Sequence, residues 1–316
     1  MAMHTIAVLA FDGVLPFDLS TPIEVFGRAR LSGGQRGYHV RICAPKDEID
    51  TGSFTMRVPW HLDMLAEANT IILPGLADPM APVPHDAVVA LQHAAARGTR
   101  IASICVGTFI LAATGLLDGL RATTHWAAAS ELARRYPAVH VDADVLFVDN
   151  GQILTSAGAA AGLDLCLHMI RRDYGSAVAA DAARIAVMPL ERDGGQAQFI
   201  IHEQPTPTGG SLEALLRWME ENADQQLTLE DLATQGGMSI RTLSRRFREQ
   251  TGTTPMQWLN RARLRQAQIL LETTDLSVEQ IVSQVGFGSP TTFRDRFKQL
   301  VGVSPQSYRR TFRGVH

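Results

Sequence analysis

Ser103-Ile-Cys105-Val-Gly107 sets a cysteine between small residues where an apolar strand pattern gives way to a helical one. A small-x-nucleophile-x-glycine turn of this kind holds the side chain out at the end of a sheet and aims the next backbone N–H at a bound oxyanion. A helix start also favours the thiolate, because the unpaired N–H groups of its first turn point toward it. Further candidates follow neighbouring strands: Asp12-Gly13 and Asp18 after the first, Pro74-Gly75 after the third, and His125 beyond the fourth. A nucleophile, an acid/base partner and an oxyanion hole suffice for hydrolytic or hydration chemistry. The same side chains equally suit the wall of a ligand pocket, and Cys105 also reads as a structural or redox-sensing thiol. His125, beside Trp126, reads as a helix-start cap or as a ligand contact.

A different chemistry sits at the other end of the chain. Residues 236–316 hold 13 Lys/Arg against five acids, a balance of +8, and 12 of the 13 cations are Arg; residues 1–209 hold 15 Lys/Arg against 21 Asp/Glu, a balance of −6. A segment rich in Arg attracts polyanions, and the planar guanidinium binds phosphate and guanine through two bonds at once.

The basic segment repeats itself. Leu227-Thr-Leu-Glu-Asp-Leu232 aligns with Leu276-Ser-Val-Glu-Gln-Ile281, and Gly237, Arg246, Phe247, Gly252 and Pro255 recur as Gly286, Arg296, Phe297, Gly302 and Pro305. Each copy opens on Thr or Ser with Glu two residues on, continues with apolar residues at helical spacing, and breaks at a glycine. A second helix then starts near Ser239 or Ser289, burying Leu243 and Phe247 or Phe293 and Phe297. Its outward positions are Arg241, Thr242, Ser244 and Arg245 in one copy and Pro290, Thr291, Arg294 and Asp295 in the other, with Thr292 beside them. This is a helix-turn-helix, whose second helix enters the major groove with its N-terminal side chains at the base edges. Between the copies, residues 256–272 read as one helix that buries Trp258, Leu259, Ala262, Leu264, Ala267, Leu270 and Leu271 and leaves Arg261, Arg263 and Arg265 outside. With both reading helices on one face, the expected spacing is one turn of DNA, about 34 Å.

The elements that position the cysteine alternate in the manner of a parallel sheet, with strands near residues 5–10, 39–43, 70–73, 100–104 and 152–155, each followed by a helical stretch. Ligands of such sheets sit outside the carboxyl ends of the strands. Residues 191–195 and 205–211 are rich in Gly, Pro and polar side chains. These observations divide the chain into an α/β domain at 1–190, a linker at 191–211 and an all-α domain at 212–316.

Composition fits two folded domains: 46% of residues are hydrophobic and 19% charged. The apolar start is too short for a signal peptide and no run reaches the length of a membrane span, so a soluble cytoplasmic protein is expected. Cys43, Cys105 and Cys166 lie far apart in the chain without a His/Cys cluster, so neither a metal site nor a cofactor is expected, and Cys43 and Cys166 read as buried apolar residues.

Residues 211–312 resemble the AraC/XylS DNA-binding domain through Met238-Ser-Ile-Arg-Thr-Leu-Ser-Arg-Arg-Phe247, Gly252-Thr-Thr-Pro255, Ile281-Val-Ser-Gln-Val-Gly-Phe287 and Gly302-Val-Ser-Pro-Gln-Ser-Tyr-Arg309; Gly236-Gly237 departs from the single glycine usual there. Residues 4–188 resemble the PfpI-like, class I glutamine amidotransferase-like superfamily, most closely its isocyanide hydratase branch. The resemblance rests on the stretch from Phe11 to Phe26, Leu73-Pro-Gly75, Ile104-Cys-Val-Gly107 and the stretch from Gly115 to Trp126. It implies a three-layer, flavodoxin-like and amidotransferase-like α/β fold. The hydratase branch implies Cys105 as nucleophile and Asp18 as acid/base partner; the protease branch has His after the cysteine, where this chain has Val106, which speaks against peptidase chemistry. The pairing of the two domains resembles the GlxA-like regulators, whose first domain is regarded as a sensor. That implies a dimeric, non-enzymatic transcription regulator in which a small metabolite near Asp18, Gly75, Cys105, Val106 and His125 changes binding to operator DNA. The alternative is a cysteine-dependent hydratase or hydrolase using Cys105 and Asp18.

Overall fold

In a computed structural model, residues 3–31, 33–158, 160–188, 195–196, 211–251 and 253–313 are described. Gly252 and most of the 191–211 segment fall outside them. The chain forms two compact units, Met1–Ala197 and Gln198–His316.

The first unit runs β1 (His4–Leu9), α1 (Pro16–Arg28), β2 (Tyr38–Cys43), β3 (Glu48–Asp50), β4 (Thr55–Arg57), β5 (Thr70–Leu73), α2 (His85–Ala96), β6 (Arg100–Ile104), α3 (Gly107–Ala113), β7 (Arg121–Ala122), α4 (Ala129–Arg135), β8 (His140–Val141), β9 (Phe147–Asp149), β10 (Ile153–Ser156), α5 (Ala160–Tyr174) and α6 (Ser176–Ile185). Six strands form one sheet in the order β2-β1-β5-β6-β10-β9, parallel except for the edge strand β9. The five strands read from the sequence are its parallel strands. Their apolar runs follow from burial on both faces: Ile6 to Leu9, Ile71 to Leu73 and Ile101 to Ile104 lie in one core. In register, Leu73 stands beside Ser103 and Ser103 beside Thr155, so the ends of β5, β6 and β10 come level. The functional loops leave from that edge.

The second unit is helical: α7 (Ser211–Glu221), α8 (Leu229–Gln235), α9 (Ile240–Thr251), α10 (Pro255–Thr273), α11 (Val278–Gln284), α12 (Pro290–Val301) and α13 (Pro305–Arg313). Both copies of the repeat begin with a capping box, but the reciprocal partner is Asp231 for Thr228 and Gln280 for Ser277, three residues on, rather than the Glu at two. Gly237 and Gly286 turn the chain at φ 62° and 76°. The unit has two cores, and α10 serves both. Trp258, Leu259 and Ala262 pack with Leu243 and Phe247, whereas Leu264, Ala267 and Leu271 pack with Phe293 and Phe297.

One expectation is overturned on α10. Arg263 is buried rather than outward, because its Nε and Nη2 donate to the carbonyl oxygens of Ala223 and Gln225 at 2.7 and 2.6 Å. A guanidinium is tolerated out of water when its donors find acceptors. Arg261 is exposed, and Arg265 is half-buried against Glu220 at 3.2 Å.

Candidate functional site

At the end of β6 the chain turns through Cys105 at φ 58°, a left-handed value that a residue with a side chain rarely adopts, before α3 begins at Gly107. Close packing imposes the turn. A Cβ on Gly107 would lie 2.1 Å from the carbonyl oxygen of Leu73, so only glycine lets α3 start against the end of β5. The Cys105 carbonyl accepts from Thr124 Oγ1 at 2.9 Å and Thr108 Oγ1 at 3.1 Å, and its N–H donates to Ser156 O at 3.1 Å.

Asp18, Gly75 and Cys105 come together as the sequence suggested. Asp18 on α1 is buried, and its carboxylate stands against Gly75 beside Cys105. A Cβ on Gly75 would lie 2.6 Å from Asp18 Oδ2 and 3.1 Å from Cys105 Cβ. Gly158, which the sequence reading missed, closes the other side: at φ 92°, a Cβ there would lie 2.2 Å from Cys105 Cβ. Its only local signal is its place just after a strand end.

The electrostatics correct one expectation. Burial first, and then the negative charge of Asp18, push the Cys105 thiol up to about 12, against the smaller opposing pull of the Val106 N–H. Burial and the Asp18 charge together outweigh the Val106 N–H, so Cys105 is held as a thiol.

His125 is a cap: its Nδ1 accepts from the N–H of Ala127 at 3.3 Å, in the 3-10 turn at 126–128. It also senses the site, since burial holds its pKa below the ordinary value while the charge of Asp18 draws it back. A second residue absent from the sequence reading lies behind it. Gln196, in the segment read as linker, is buried: its amide donates to Thr124 O at 2.9 Å and Thr123 Oγ1 at 3.1 Å and accepts from the Trp126 N–H at 3.0 Å. The loop that steadies Cys105 is therefore tied to the chain leaving the domain, and this unit extends past residue 190.

In the second unit, α9 and α12 present the expected reading residues. Arg241, Arg245, Pro290, Thr291, Thr292 and Arg294 are exposed, and Thr242 and Ser244 are half-buried. Ser239 and Ser289 are engaged at the helix starts, where Ser239 Oγ accepts from Thr242 N–H at 3.2 Å and Ser289 Oγ from Thr292 N–H at 3.4 Å. Arg245 pairs with Glu249 at 3.0 Å and Arg294 with Glu279. No carboxylate of the described residues pairs with Arg241 or Arg246. Exposed pairs are worth little, so phosphate or guanine can displace them.

Comparison with known proteins agrees with both halves. The DJ-1/PfpI family model matches residues 4–172, and a helix-turn-helix domain model matches residues 232–311. The HTH-type transcriptional regulator GbdR of Pseudomonas aeruginosa is 26% identical over 309 residues, 97% of this chain and 84% of that protein. The HTH-type transcriptional regulator GlxA of Rhizobium meliloti is 34% identical over 226 residues, 70% of this chain and 68% of that protein. Among solved structures, an AraC family transcriptional regulator from Pseudomonas putida shares the fold over 58% of this chain and 99% of its own, with a TM-score of 0.52 at 17% identity.

Proposed function

The chain belongs to the DJ-1/PfpI family, with a DNA-binding helix-turn-helix domain joined behind it as in HTH-type transcriptional regulators, and from that premise we propose that a small molecule held by its first domain controls its grip on operator DNA. It is a transcription regulator and not an enzyme, in keeping with the HTH-type transcriptional regulators to which it is similar. The observation that carries DNA binding is the pair of helix-turn-helix units sharing α10, each with exposed polar and Arg side chains at the start of its second helix.

The effector binds at the carboxyl ends of β1, β5 and β6, near Asp18, Gly75, Cys105, Val106 and His125. Two copies act together in the cytoplasm, and the effector changes how their DNA-binding domains are presented. The contact of Gln196 with the Thr123–Trp126 loop supports this, because it links the Cys105 neighbourhood to the connecting chain. No helix of the described residues is long and apolar enough to cross a membrane.

The test is fluorescence anisotropy on a duplex from the protein's own promoter region and on a scrambled duplex, across a salt series. The expected result is tight, sequence-dependent binding that weakens as salt rises. Equal affinity for both duplexes at every salt concentration would refute the reading.

A further inference from the structure

A second feature of the sheet edge belongs to no part of the Cys105 cluster. Beside it opens a cavity of about 340 Å³, within the roughly 300–1,000 Å³ of small-molecule sites. Its floor is apolar and buried, made by Phe11, Ile49, Leu76 and Ile110; Pro45, Pro82, Val83 and Pro84 form walls. Its polar lining is a single pair, Asp12 and Lys46, whose Nζ meets Asp12 Oδ2 at 2.5 Å.

The state of that pair sets what the cavity can hold. Asp12 uses both carboxylate oxygens, one on Lys46 and the other on the Asp50 N–H at 3.0 Å. Lys46 uses one of its three N–H donors there and retains two. The pair is more than half exposed and worth little by itself, but it is matched in charge, so an ion entering beside it is attracted by one partner and repelled by the other and gains little over water. An acceptor oxygen, by contrast, finds a donor.

We infer that this cavity binds a neutral, mainly apolar molecule carrying one acceptor oxygen, of the class of small ketones, esters or lactones, with the oxygen at Lys46 and the body against Phe11, Leu76 and Ile110. The cavity adjoins a smaller one that shares Leu76, Val83 and Ile110 and reaches Val106. Occupancy therefore presses on α3 and on the residue following Cys105. The inference rests on the reading that a small molecule controls the first domain, and it adds a second seat, next to the Cys105 cluster by way of Val106, together with the chemistry that this seat takes.

The test uses the full chain and three probes of one shape: benzylacetone, hydrocinnamate and phenylpropylamine. Thermal shift and calorimetric titration should show saturable binding of the ketone, with the carboxylate and the ammonium about threefold weaker or worse. Lys46→Met should weaken the ketone several-fold by removing the donor, and Val83→Trp, which fills the cavity from its rim, should abolish binding. Ile110→Trp repeats the filling from the floor in case the first variant folds poorly. A charged probe binding best, no saturable binding of the ketone, or ketone binding untouched by both filling variants would overturn the assignment. Ketone binding that is lost in the filled variants but leaves operator affinity unchanged would confirm the cavity and refute control of DNA binding from this seat.

Discussion

Arg263 Nε donates to the carbonyl oxygen of Ala223 at 2.7 Å, fastening the shared helix α10 to the loop that follows α7. The same guanidinium reaches Gln225 O and stands over the Phe287 ring with its central carbon 5.9 Å from the centroid. The loop in turn closes on the second turn: Gln226 Nε2 donates to Gly286 O at 3.1 Å, and a Cβ on Gly286 would lie 2.5 Å from Ala223 O. One side chain thus touches both halves of the duplicated domain. Arg263→Met keeps the stem but leaves two carbonyls without their donor, at about 1–3 kcal/mol each. The expected loss is about 2–4 kcal/mol by urea unfolding of the protein, with weaker operator binding because the reading helices lose their fixed spacing. An unchanged midpoint would show that the seam contributes nothing.

On α9, Arg245 is held by Glu249 in the absence of DNA. Arg245→Ala should cost about 1–3 kcal/mol of operator affinity and relax preference at one base pair, measured by anisotropy on a panel of single-substituted duplexes. Glu249→Gln removes a repulsive charge and should tighten binding to all duplexes alike. Retention of the full base preference in Arg245→Ala would remove it from the reading set.

The parallel strands were legible because burial on both faces writes continuous apolar runs such as Ile71-Ile-Leu73, and the helical repeat because its apolar spacing and glycines recur in order. β9 escaped notice: three residues long and antiparallel, it leaves no periodic signal. Arg263 was misplaced because residue type and helical phase point outward, while its acceptors lie 38 and 40 residues away in sequence. Gly158 and Gln196 were missed for a related reason. Each is defined by a tertiary partner, Cys105 for one and the Thr123–Trp126 loop for the other, that no local pattern records.

At the opposite end of the sheet, His4 Nε2 meets Thr70 Oγ1 at 2.9 Å, close to the ion pair of Arg100 with Asp173. Burial holds the His4 pKa below its ordinary value, with Asp173 opposing and Arg100 assisting. Since the unfolded chain then binds the proton more readily, this contribution is complete above about pH 6.5 and is lost as pH falls below that value. Burial alone would raise Asp173, but hydrogen bonds from Arg100 and Tyr38 and the charge of Arg100 hold it low, so its contribution is lost only in stronger acid. The melting temperature of the first domain should therefore fall from pH 7 to pH 5, and His4→Gln should flatten that step. An unaltered slope in the variant would rule His4 out.

The Asp18–Cys105 contact makes a prediction about reactivity with a definite sign. With the thiol pushed up to about 12, the thiolate at pH 8 is roughly one part in ten thousand, and burial adds a barrier of access. Iodoacetamide should modify Cys105 far more slowly than an unfolded cysteine, as read by peptide mapping. Part of the upward push comes from the carboxylate, so Asp18→Asn, which keeps the shape and removes the charge, lowers the thiol's pKa. Alkylation of Cys105 in that variant should accelerate several-fold at pH 8, and the gain should shrink as pH rises toward the thiol's own pKa. A melting temperature measured beside it separates this from loosening of the fold, which would speed alkylation of Cys43 and Cys166 as well. If Asp18→Asn leaves the Cys105 rate unchanged, or slows it, the carboxylate does not govern the thiol.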